Sequence, residues 1–296
     1  MKYQSLHPFM KSIISDLRKN GKIGTALNYE ATLNSFTAFC HGADLPIKKI
    51  NKEIISDYQQ FLFSRNNSRN TVSFYMRILR AVFRRAIDVN LANPPHPFYN
   101  VYTGIPKTVK RAISIVDIRK ISAADFSLNP PLDFARDIFM LSFFFRGMSL
   151  IDLAFLKKTD LKNGYISYRR HKTGTILNIK FTPEMQRIVS KHWIEDSPYL
   201  LPILSPGKES HADYRLRSFS LNRYIKKVGK TLDIAATLTF YVARHSWASA
   251  AKEAGIPLSV ISEGMGHSSI LTTQIYFASF DGNTIDQANK LIIDSL

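Results

Sequence analysis

The sequence predicts a mainly α protein of two domains: an N-terminal four-helix domain, then a larger, mostly helical domain carrying one small antiparallel β-sheet. Three observations lead there. Apolar residues recur at helical spacing through most of the chain, most clearly Val72, Met76, Leu79, Phe83 and Ala86 at offsets of 0, 4, 7, 11 and 14. Residues 92–111 hold Asn93-Pro94-Pro95-His96-Pro97, Gly104 and Pro106, a density of proline and glycine that cannot continue a helix. One stretch, Tyr165 to Phe181, breaks the helical pattern and reads as a hairpin, with Leu177, Ile179 and Phe181 alternating after a Lys172-Thr173-Gly174 turn. A length of 296 residues suits two cores at roughly 100–200 residues per domain.

Taken in order, the first domain (residues 1–103) has helices near 7–20, 24–41, 50–64 and 69–91. Beside the apolar stripe of the last helix runs a basic one, Arg77, Arg80 and Arg84, whose i, i+3, i+7 spacing suits successive DNA phosphates. A solvated charged face is the alternative. A linker, 104–112, ends in Lys110 and Arg111, placed to cross a phosphate backbone. The second domain, 113–296, has helices near 115–124 and 132–147, the hairpin, then helices near 183–193, 218–232 and 242–254. Shorter helices are expected near 257–265 and 270–277, and a tail from about 280 places Ile285, Ala288, Leu291 and Ile292 on one apolar stripe.

Composition narrows the partners. Lys and Arg number 40 against 23 Asp and Glu, a net charge of +17 that favours a polyanion, nucleic acid before a membrane surface. Both domains share the excess: residues 1–103 carry 14 basic and 6 acidic groups, so a single basic tail is not its source. The single cysteine, Cys40, excludes an internal disulfide and a cysteine-based metal cluster. No apolar signal segment follows Met1-Lys2, and the apolar run Ile138 to Phe145 is too short to span a bilayer, so a soluble cytoplasmic protein is expected.

The last quarter carries the chemistry. Ala243-Arg244-His245-Ser246-Trp247 is followed by Gly266-His267, 23 positions after Arg244, and by Tyr276 nine positions later. Arginine and histidine hold a phosphate and its developing charge, while a tyrosine hydroxyl is able to attack phosphorus and keep the DNA end covalently.

The order and spacing of these groups resemble the tyrosine recombinase (phage integrase) family. The resemblance covers nearly the whole chain and implies a SAM-like core-binding domain and a catalytic domain that close as a clamp around duplex DNA. It implies strand exchange through a 3′-phosphotyrosyl link at Tyr276, a homotetramer on DNA formed from free monomers, and no metal, ATP or other cofactor. It also implies that the tail docks on a neighbouring protomer; a helix packed on its own domain is the alternative. Arg244 is then a donor to the non-bridging phosphate oxygens, His267 a further donor or a proton relay, and Lys172 the general acid that protonates the leaving 5′ oxygen. His245, about 100° around the helix from Arg244, is expected to be structural.

Two positions depart from the family pattern. Aligning Asp152, Leu153 and Leu156 puts Ser149 where the first catalytic arginine normally stands, with Arg146 one helical turn earlier and able to refill the site if the helix continues. Similar Arg-Gly-Met-Ser-x-x-Asp segments occur among integrases and invertases of mobile elements in gut anaerobes. Gly147 is a possible bend, and Asp152 an acid that orients an arginine or caps backbone. Tyr241 replaces the usual histidine three residues before Arg244 and is a poor base near neutral pH, which leaves His267 or water to accept the Tyr276 proton, or a reaction that depends less on a base because the arginines lower the phenol's pKa. The expected function is a site-specific recombinase for integration or inversion. The alternatives are a type IB topoisomerase-like enzyme and a non-catalytic DNA-binding protein.

Overall fold

The computed structural model describes residues 4–93, 97–104, 112–267 and the single positions 269, 273 and 293. The chain forms two compact units, Met1–Thr108 and Val109–Leu296.

In the first unit four helices pack on one core: α1 (Leu6–Lys19), α2 (Ile23–Phe39), α3 (Lys52–Ser64) and α4 (Arg69–Asp88). Side-chain caps start the last two, Asn51 accepting from the Ile54 amide and Ser68 from the Thr71 amide, which satisfies donors that the first helical turn leaves unpaired. All five residues of the α4 apolar stripe are buried. Tyr58, fully enclosed against Phe36, Phe39 and Phe61, keeps its hydroxyl satisfied by donating to Ser35 Oγ at 2.8 Å. On the basic stripe Arg77 and Arg84 are exposed, whereas Arg80 is half-buried and donates to Thr103 Oγ1. Lys110 and Arg111 lie outside the described residues.

The second unit is built around α6 (Pro130–Phe144), which has Pro at its start and an Asn129 cap. Its Ile138, Phe139, Met140 and Leu141 are all buried, against α5 (Ile115–Ala123), α8 (Pro183–Lys191), α9 (His211–Thr231) and α10 (Phe240–Glu253). Asp133 and Asp137 of α6 meet Arg136 and Lys191, with His192 Nε2 2.8 Å from Asp137 Oδ2, so the two carboxylates already hold cations. A three-stranded antiparallel sheet, β1 (Leu161–Lys162), β2 (Tyr165–Arg169) and β3 (Ile176–Lys180), is ordered β1-β2-β3, with Tyr165 opposite Lys180 and Arg169 opposite Ile176. The fold is therefore mostly helical with one small antiparallel sheet, as expected.

Several boundaries differ from the sequence reading. The helix expected over 132–147 stops at Phe144, because Arg146 and Gly147 both adopt left-handed backbone, φ 58° and 72°. Ser142 stabilises this break: its hydroxyl donates to the Met148 carbonyl at 2.7 Å, and its own carbonyl accepts from the Met148 amide. A further short helix, α7 (Leu150–Phe155), follows, and β1 adds a third strand to the hairpin. Helix α9 begins seven positions before the expected 218, at a Ser210–Asp213 capping box; its early turns expose Leu216 and Phe219 and so show no inward stripe. The short helix expected near 257–265 is α11 (Leu258–Gly264). The one expected near 270–277 and the apolar tail lie outside the described residues apart from Thr273 and Ile293.

Candidate active site

Helix α10 points Arg244 inward, 5 % exposed. Its Nη1 donates to the Gly147 carbonyl at 2.7 Å, and its Nη2 to the Met265 carbonyl at 2.8 Å and to His267 Nε2 at 2.8 Å. The left-handed junction after α6 thus presents a main-chain oxygen to the guanidinium. Gly147 is also required by space, since a Cβ there would stand 2.7 Å from Arg244 Cα and 2.9 Å from its Cγ.

His267 follows Gly266, itself left-handed at φ 63°, just beyond α11. Arginine offers only donors, so the contact from Arg244 makes Nε2 the acceptor and places the ring proton on Nδ1, which donates to Thr273 Oγ1 at 2.6 Å. Burial first, then the charges of Arg244, Arg170 and Lys172, lower the His267 pKa from 6.5 to about 4. The imidazole is neutral at pH 7. Between about pH 6.5 and 4 the unfolded chain binds a proton that the folded chain refuses, so stability is present above that window and falls on acidification through it. Thermal unfolding from pH 7 to 4.5 should show this loss, at no more than about 1.4 kcal/mol per pH unit and less after solvent screening. His267→Gln should flatten it; an unchanged slope would assign the effect to other groups.

The hairpin brings in a second set of cations. Its β2 alternates outward and inward, with Ile166 and Tyr168 buried, and the alternation continues through exposed Arg169 to buried Arg170. Arg170 Nη1 donates to the Gly266 carbonyl, and its Nε lies 4.0 Å from Asp152 Oδ2. Asp152, on α7, also accepts from the His171 amide at 2.9 Å and from Ser149 Oγ at 2.6 Å. Burial works to raise its pKa, but the bonds from His171 and Ser149 and the Arg170 charge outweigh it and hold the carboxyl below its ordinary range. Ser149, at the start of α7, is thus engaged with this carboxylate. Lys172, exposed in the turn, lies near enough to act on His267.

Arg146 does not reach the site by continuing a helix, which corrects the expectation of a simple one-turn shift from Ser149. Its left-handed backbone instead carries the half-buried side chain toward Gly264, where a Cβ would meet Arg146 Cδ at 3.7 Å and Trp247 at 3.5 Å. The charges of Arg170, Arg244 and Arg146 all act on the buried Tyr168 phenol. Arg146 makes no ion pair or hydrogen bond among the described residues. Tyr241, in the first turn of α10, is half-exposed and meets the His245 ring edge-on, centroids 4.4 Å apart at 89°. His245 therefore packs on Tyr241 and turns away from Arg244. Tyr276 lies outside the described residues.

The structure thus brings Arg146, Lys172, Arg244 and His267 into one neighbourhood. Arg170 was absent from the sequence candidates, although the strand alternation running through Ile166 and Tyr168 marks it as inward.

A family model described as "Phage integrase family" matches residues 133–282, half of the chain. The chain belongs to the phage integrase family. A second model, "Phage integrase SAM-like domain", matches residues 5–101 and so covers the four helices of the first unit. Tyrosine recombinase XerA of Pyrococcus furiosus is 24 % identical over 270 residues, covering 77 % of this chain and 90 % of the relative. Among solved structures, a lambda integrase dimer bound to a COC′ core site superposes with a TM-score of 0.69 at 18 % identity, covering 94 % of this chain and 99 % of that one. A lambda integrase tetramer bound to a Holliday junction superposes with a TM-score of 0.68 at 17 % identity, covering 95 % and 81 % of the two chains. These likenesses establish the shared fold. Among the described residues no helix is long and apolar enough to cross a membrane.

Proposed function

We propose that this member of the phage integrase family is a site-specific DNA recombinase that cleaves and rejoins DNA through Tyr276. The supporting observation is the Arg244–His267 pair, fixed to each other and to main-chain carbonyls, nine residues before a tyrosine and within electrostatic reach of Lys172. Tyr276 Oη attacks the scissile phosphorus, a phosphotyrosyl bond forms to the 3′ side, and the bond from phosphorus to the 5′ oxygen breaks. Lys172 gives that oxygen its proton. Arg244 and Arg146 donate to the non-bridging oxygens, where charge grows in the pentacoordinate state. Tyr241 adds a phenolic donor from the first turn of α10. His267, neutral and already accepting from Arg244, serves as a positioned dipole and is too weak a base for the Tyr276 proton, which passes to water. The phosphodiester energy is kept in the covalent link, so the cycle requires no ATP, and the arginines meet the growing phosphate charge in place of a metal.

Residues 1–103 would form the core-binding domain, Arg77, Arg80 and Arg84 meeting phosphates, with Lys110 and Arg111 in the linker 104–112 and catalysis in 113–296. Four protomers would act on two sites, a reading supported by the likeness to a lambda integrase that forms a tetramer bound to a Holliday junction. Covalent capture tests the reading. Wild-type protein mixed with DNA of its own locus should leave protein-linked 3′ ends, whose sequencing gives the crossover site. A nicked duplex of that site should then yield a protease-sensitive complex with wild type and none with Tyr276→Phe. Equal behaviour of the two proteins would sink the proposal, and relaxation of supercoiled plasmid irrespective of sequence would point to a topoisomerase.

A further inference from the structure

Arg170 touches two parts of the site at once. It stands two residues before Lys172 at the base of the hairpin turn, and its Nη1 binds the carbonyl of Gly266, the residue before His267. Its Nε faces Asp152, which in turn grips the turn backbone through the His171 amide. The approach is close: a Cβ on Gly266, whose backbone is left-handed at φ 63°, would stand 2.7 Å from Arg170 Cδ and 3.0 Å from Leu177 Cδ1, so a side chain there would push the arginine aside. The turn itself is closed by the Gly174 amide on the Arg170 carbonyl and the Arg170 amide on the Thr175 carbonyl, both at 2.9 Å. One residue therefore fixes the turn bearing Lys172 through its backbone and, through its side chain, the segment bearing His267.

A direct hold on phosphate fits Arg170 poorly. The residue is 5 % exposed, and swinging its guanidinium out would take the arginine charge from the nearly enclosed Asp152 carboxylate, leaving it only its contacts with His171 and Ser149. A salt bridge that merely adds stability could sit anywhere in the core; this one links the hairpin turn to the residue next to His267.

We infer that Arg170 is a positioning residue that holds Lys172 in register with the phosphate pocket. The inference rests on Lys172 as the general acid, and the experiment separates the two. In a duplex whose scissile 5′ bridging oxygen is replaced by sulfur, the leaving thiolate needs no proton, so a defect confined to proton delivery disappears. Lys172→Ala should cleave the oxygen substrate about 10²–10⁴-fold more slowly than wild type and recover on the sulfur one. Arg170→Lys, which keeps a buried cation for Asp152 but cannot also span to Gly266, should lose at least about tenfold on oxygen and recover on sulfur likewise. Arg244→Ala should stay slow on both. Arg170→Gln, which retains a donor for Gly266, gives a second folded variant to be judged the same way, with thermal unfolding as the check. If Lys172→Ala recovers while both Arg170 variants remain slow on sulfur, or if they match wild type on oxygen, the positioning role is wrong. If Lys172→Ala itself fails to recover, the general-acid reading falls and this inference with it.

Discussion

Gly147→Ala should eliminate most DNA cleavage without altering any charged or nucleophilic side chain. The added methyl would stand 2.7 Å from Arg244 Cα, a main-chain atom in the middle of α10 that cannot step aside. Left-handed backbone at φ 72° adds roughly 1–2 kcal/mol for any residue with a Cβ, and overpacking typically adds about 1–3 kcal/mol more. Relief requires the junction to move away from α10, which withdraws the carbonyl that orients Arg244 Nη1. A misplacement of about 1 Å is enough for a loss on the order of 10²-fold. Thermal unfolding of the variant should show the destabilisation, and single-turnover cleavage of the nicked crossover duplex the catalytic loss. Wild-type cleavage by Gly147→Ala would mean that the close approach of the two segments has no bearing on Arg244.

Arg244→Lys and Arg146→Ala should both lose cleavage, but only the first should lose stability. Lysine has one nitrogen where Arg244 uses two to reach the carbonyls of Gly147 and Met265 and the His267 ring, so at least one buried acceptor is left unpaired, at about 1–3 kcal/mol. Removing a donor aimed at developing charge costs about 10²–10³-fold in rate. Arg146 stands differently: half-buried, with its charge in range of Tyr168, and held by no ion pair or hydrogen bond among the described residues. Arg146→Ala should therefore leave the melting temperature and DNA affinity near wild type while single-turnover cleavage drops by a similar factor. A fully active Arg146→Ala would remove it from the catalytic set.

The sequence reveals the two structural levels unequally. The α4 stripe is legible because a twenty-residue amphipathic helix puts five apolar residues on one face, whereas α7 is too short, at six residues, to show any period. The end of α6 misleads for a tertiary reason. The apolar run through Phe145 continues the helical pattern, and what stops the helix is the Arg146–Gly147 turn, which fits against Arg244 some 97 residues away. The Arg244–His267 pairing is legible in spacing because α10, α11 and the turn after them leave little slack between the two side chains. Their anchors are not legible, since every residue has a carbonyl and nothing in its letter says where that oxygen points. Arg170 falls between these cases: two inward neighbours in β2 foretell its direction, but not the Gly266 carbonyl waiting there.

Those main-chain anchors bear on how the site meets its substrate. A carboxylate beside Arg244 would cancel its charge and compete with an incoming phosphate. Two peptide oxygens and a neutral imidazole instead act as a fixed solvation shell, steadying the cation while leaving its monopole intact. Among the described residues no carboxylate forms an ion pair with Arg244. Within the described residues the Arg244 charge is thus left without a counter-ion, and a phosphodiester arriving in that role neutralises it without first having to break an ion pair.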